Sequence, residues 1–143
     1  MKNNFFTRAG IKILCDTFEI IENSINLGGR NDLRVGSRKT FAERMQYSNA
    51  SLPVILLDHR PTDLDNVSRT AVDLQFSGHT HGGQMFPINL IIKNIYELSW
   101  GYKKKGNTHF FVTSGIRLWG PPVRTSGIAE IMVVDVNFKR NGE

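Results

Sequence analysis

Two segments stand out of the chain: the uninterrupted apolar run Pro53-Val54-Ile55-Leu56-Leu57, and residues 72–76. The first, a short run without polar alternation closed by turn residues, predicts a strand buried on both faces, and the second reads as another buried strand. The first run stops at Asp58-His59-Arg60-Pro61 and the second at Gly78-His79-Thr80-His81-Gly82-Gly83-Gln84. Upstream, residues 11–15, 18–21 and 24–28 read as three short strands, the last two joined by a Glu22-Asn23 turn. Gly28-Gly29-Arg30-Asn31-Asp32 then breaks regular structure. Between residues 38 and 47, Phe41, Ala42 and Met45 recur at helical spacing. A short helix is expected over 62–70 and a longer one over 87–98, with Pro87 suited to its first turn. Residues 110–113 and 128–136 read as the last strands. Strands alternating with helices predict an α/β chain.

Composition narrows the class. A chain of 143 residues, 40% hydrophobic and 22% charged, is the size of one domain. No apolar stretch is long enough to span a bilayer as a helix, and the first residues carry no signal-like hydrophobic region. The single cysteine, Cys15, excludes an internal disulfide and a cysteine-based zinc site; it is expected as a small buried side chain at a strand end. Eighteen basic against thirteen acidic residues leave a net charge of +5, which favours anionic partners. No nucleic-acid motif accompanies that charge. Lys103-Lys104-Lys105 is expected in a solvated loop.

The candidate chemistry lies where the buried runs end. Residues i and i+2 of an extended backbone share a face, so His79 and His81 are expected to aim at one point or two neighbouring ones. Ligand sites in open α/β sheets lie outside the carboxyl ends of the strands. If the two apolar strands are neighbours, His59, His79 and His81 meet at one sheet edge. That clustering favours metal binding over the usual structural role of a lone histidine. His109, without evident partners, reads as incidental.

Leu56-Leu57-Asp58-His59-Arg60-Pro61 followed by the Gly78–Gln84 stretch resembles the last two metal motifs of the calcineurin-like metallophosphoesterases. Gly101-Tyr102-Lys103-Lys104-Lys105-Gly106-Asn107, Phe111-Val112-Thr113-Ser114-Gly115 and Gly120-Pro121-Pro122-Val123-Arg124 are similar to the bacterial branch that includes membrane-associated phosphodiesterases. The resemblance implies a two-sheet α/β sandwich flanked by helices. It implies that His59 and His79 bind one divalent ion of a pair (Mn, Fe or Zn) and His81 the other. A phosphate mono- or diester, lipid- or nucleotide-linked, would be hydrolysed there by a water that two metals activate. Asp58 is expected behind the ligands or at the surface, and Gln84, Arg30, Arg117 and Arg124 as contacts to substrate phosphate or as structural residues.

The family's Asp-x-His, Gly-Asp-x-x-Asp and Gly-Asn-His-Asp/Glu motifs do not occur in the chain. Residues 1–143 are therefore expected to form a truncated, C-terminal portion of the phosphoesterase domain. It would lack the bridging carboxylate and the general-acid histidine, hold at most one cation, and be inactive alone. Exposed apolar sheet surface or an unpaired strand edge should follow, favouring a homodimer, pairing with an N-terminal half, or poor solubility. The alternatives are a non-catalytic metal-binding or interaction module and a basic binder of nucleic acid or membrane surface. Localisation stays open, since relatives of this kind are often membrane-associated.

Overall fold

In a computed structural model that describes residues 3–32, 34 and 49–137, the apolar runs assemble into one mixed sheet. Its strands are β1 (Thr17–Ile21), β2 (Ile25–Gly29), β3 (Val54–Leu57), β4 (Leu74–Ser77), β5 (Gly101–Lys105) and β6 (Thr108–Val112), in the order β1-β2-β3-β4-β6-β5. β2, β3, β4 and β6 run parallel, and β1 and β5 close the two edges antiparallel. Among the described residues four helical pieces accompany them: α1 (Asn3–Arg8), α2 (Leu64–Val67), a single 3-10 turn (His81–Gly83) and α3 (Ile88–Ile95). The chain is α/β.

One face of the sheet is covered. Phe18, Leu56, Gln75 and Phe110 lie side by side across four strands and are buried, with Val54 and Val112 beside them. Leu64 and Val67 of α2, with Val72 and Leu98, complete this core. Gly28 belongs to the same row because a β-carbon there would stand 2.4 Å from the Phe18 ring. The glycine lets Phe18 lie across β2 and join the core.

The opposite face is open. β3 was expected to be buried on both sides, but Leu57 is 42% exposed while Leu56 is fully buried. Phe76 and Phe111 stack on this face at 5.3 Å, and Tyr102 packs on Phe111 with half of its own surface exposed. On this face Leu57 and Tyr102 are exposed, while Phe76 and Phe111 are half-buried.

Several elements differ from their sequence reading. Residues 11–14 form no strand; Leu14 instead crosses the end of β2, its carbonyl oxygen 2.4 Å from where a Gly29 β-carbon would be. Cys15 is exposed rather than buried, because it precedes a turn at Asp16 and belongs to no strand. The lysine triplet lies on edge strand β5, not in a loop. Lys103 and Lys105 pair with Glu97, and Lys105 also with Asp65. The two-residue Gly106-Asn107 connection to β6 was the hairpin signal that the charge run obscured. Residues 130–137 alternate half-buried and exposed as a strand would, yet make no ladder among the described residues. The helix expected over 38–47 lies outside the described residues.

Candidate metal centre

β3 and β4 are adjacent and parallel, with Leu57 opposite Phe76, so both chains leave the sheet at the same edge. The ladder runs on past the strands: the Asp58 N–H donates to the Phe76 carbonyl and the Gly78 N–H to the His59 carbonyl. His59 is thereby placed next to the Gly78–Gln84 loop. His79 Nδ1 stands 3.0 Å from His59 Nε2, and the rings meet edge to face at 4.8 Å.

The loop is a turn, not an extended segment. His79 and His81 both take left-handed backbone angles, φ 68° and 51°, and Thr80 N–H donates to the Gly78 carbonyl. Thr80 is buried and its hydroxyl donates to the Ser99 carbonyl at 2.6 Å, pinning the apex of the turn. Left-handed φ outside glycine is uncommon, and residues held there cluster at functional sites. The extended backbone expected here is accordingly corrected to a turn. His79 turns to His59, whereas His81 Nδ1 faces the Arg117 carbonyl at 3.1 Å. Among the described residues no three His, Cys, Asp or Glu side chains gather around one point.

Burial first, then the positive charge of Arg60 and the neighbouring His59 ring, push the His79 imidazole below its ordinary pKa, against a pull from Asp32. A neutral ring keeps a lone pair for a cation. Behind His59, Arg30 and Asp58 form a buried ion pair at 3.1 Å. Arg30 also reaches Asp63, so its guanidinium is directed at carboxylates of its own fold. Gln84 is buried and its amide is spent on main-chain groups of Trp119, Pro121 and Val123. Arg124 donates to the carbonyls of His81 and Ile128, while the Arg117 side chain is exposed. His109 is not alone: its Nδ1 lies 2.9 Å from the Tyr102 hydroxyl, a cross-strand pair hidden by the misreading of β5.

Two ring nitrogens that bind one zinc-sized cation at about 2.0–2.1 Å and a near-right angle stand roughly 3 Å apart. The His59–His79 spacing fits that description, so the pair present suits two neighbouring positions around a divalent ion. Gly83 supports the arrangement. At φ 75° a β-carbon there would lie 2.2 Å from the Asn89 main chain in α3. Gly83→Ala is expected to push α3 off the loop and lower the thermal midpoint by several degrees, measured by circular dichroism.

Sequence comparison decides the family. A Helicobacter pylori protein named "Uncharacterized metallophosphoesterase" is 37% identical over 113 residues, covering 75% of this chain and 30% of its own length. An Aquifex aeolicus protein of the same name is 31% identical over 148 residues, covering 96% of this chain and 55% of its own length. The chain belongs to the calcineurin-like metallophosphoesterases. A zebrafish relative, "Transmembrane protein with metallophosphoesterase domain", is 34% identical over 122 residues, covering 79% of this chain and 28% of its own. This metallophosphoesterase sequence thus spans about a third to a half of the length of these relatives. No protein-family model and no solved structure matches it. Among the described residues no helix is long and apolar enough to cross a membrane.

Proposed function

We propose that the chain supplies one side of a metal-dependent phosphoesterase centre, as a C-terminal portion of a calcineurin-like phosphoesterase domain. The observation that carries this reading is the 3.0 Å approach of His59 and His79 at the exits of adjacent parallel strands. His59 Nε2 and His79 Nδ1 would hold one divalent ion (Mn, Fe or Zn), and His81 Nε2 would hold a second. When bound, such ions polarise a phosphate oxygen and make water nucleophilic at neutral pH. The chain's own residues orient that site. The β3–β4 ladder sets the His59–His79 spacing, the Thr80 hydroxyl anchors the turn, and the Arg30–Asp58 pair holds the base of the His59 loop.

The substrate class is a phosphate mono- or diester. No carboxylate joins the histidine pair among the described residues, so the chain alone is proposed to turn over such esters negligibly. That same lack favours one second reading, a non-catalytic module that binds a single ion. A chimera separates the two: these residues replace the matching 55% of the Aquifex relative. Mn-dependent hydrolysis of an aryl phosphodiester, falling about 100-fold or more with His79→Ala, is the expected result. A folded chimera without hydrolysis would favour the non-catalytic module. Turnover by the isolated chain that is lost with His79→Ala would overturn the proposed incompleteness.

A further inference from the structure

We infer that Gln84 is a positioning residue that fixes the tautomer of His81, an inference that rests on reading His81 as a metal ligand. Gln84 is only 3% exposed. Its Nε2 donates toward the carbonyls of Trp119 at 2.7 Å, Val123 at 2.9 Å and Pro121 at 3.3 Å. Its Oε1 accepts the Trp119 N–H at 2.7 Å. Its main-chain carbonyl accepts the N–H groups of Thr125 and Ser126, both at 3.0 Å. One side chain and one carbonyl therefore tie a whole strap, residues 119–126, to the histidine loop.

The strap begins beside the group that faces His81. Arg117 precedes the Gln84-bound Trp119 by two residues, and its carbonyl lies 3.1 Å from His81 Nδ1. A carbonyl oxygen only accepts, so Nδ1 must carry the proton of the neutral ring. Nε2 is then left with its lone pair, the form that binds a cation. Arg124, also on the strap, donates to the His81 carbonyl at 3.2 Å and steadies the loop main chain. The Gln84 N–H donates to that carbonyl as well, at 3.1 Å. Loop and strap are thus locked three residues from the imidazole that the strap orients.

The site needs glutamine for its chemistry. The tip must donate to carbonyls and accept from an amide at once. Methionine can do neither, and glutamate would set a carboxylate against the carbonyl oxygens. A mere structural staple would change stability when replaced; a positioning residue also changes which His81 nitrogen is protonated.

The test is nitrogen-edited NMR of the imidazoles in the full chain, metal-free and at mildly alkaline pH, with zinc titrations and thermal midpoints alongside. The wild type is expected to show His81 as the Nδ1–H tautomer. Gln84→Met should shift it toward the Nε2–H form and weaken the second zinc-binding event, the one assigned to His81, about 10–100-fold, the usual effect of losing an outer partner of a ligand, while the His59–His79 ion is unaffected. Should Gln84→Met fail to fold, Gln84→Glu, which keeps the size and the acceptor, reads the same shift. A folded variant in which His81 remains Nδ1–H overturns the inference. If zinc does not bind the wild type while the tautomer still responds, the role of Gln84 stands and the metal reading falls. Zinc binding that needs His81 but ignores Gln84, with the tautomer unmoved, overturns the inference alone.

Discussion

His79→Ala is expected to abolish measurable zinc or manganese binding by the chain, whereas His109→Ala leaves it unchanged. The pair His59–His79 offers two nitrogens 3.0 Å apart, and no third His, Cys, Asp or Glu joins them among the described residues. Deleting one removes half of the donor set. The loss should exceed the roughly 10–100-fold typical of losing an outer partner that only orients a ligand. His109 is an internal control of the same residue type, because its Nδ1 is engaged by Tyr102 on the neighbouring strand. Isothermal titration and metal content after dialysis both read this difference. Equal binding by wild type and His79→Ala would place any ion elsewhere.

The second large effect is on stability. Asp58→Ala is expected to destabilise the chain by about 3 kcal/mol, because it removes the buried counter-charge of Arg30 and leaves the longer 3.7 Å contact to the exposed Asp63 carboxylate. Both side chains are almost inaccessible, 8% and 2% exposed, and they meet at 3.1 Å behind the His59 loop. The ionic pair itself need not be stabilising relative to apolar residues of similar volume. The double variant Arg30→Met/Asp58→Leu should therefore recover most of the loss, as a urea unfolding midpoint near that of the wild type. Exposed pairs such as Glu97 with Lys103 should matter far less, since solvent screens them.

What could be read from the residues divides along physical lines. β3 was legible because an uninterrupted apolar run between turn residues has few other stable fates, and β4 because Val72, Leu74 and Phe76 alternate with polar residues up to the Gly78 turn. Placing His59 beside His79 required only that those strands be neighbours, since parallel neighbours end at the same edge. β5 was missed because three successive lysines look solvated, although on the edge strand Lys103 and Lys105 pair with Glu97 and Asp65. The orientation of His81 could not be read from local pattern. It depends on left-handed backbone angles at His79 and His81 and on a strap more than thirty residues away, tied down by Gln84. Residues 128–136 show the converse: a strand-like alternation guarantees an extended chain, but a ladder needs a partner edge.

The central claim is that His59 and His79 are two ligands of one divalent ion, and anomalous scattering from crystals soaked in manganese or zinc tests it most directly. A single strong anomalous peak is expected within about 2.0–2.3 Å of both His59 Nε2 and His79 Nδ1. A soaked crystal in which the two nitrogens share a proton, with no anomalous peak between them, would contradict it.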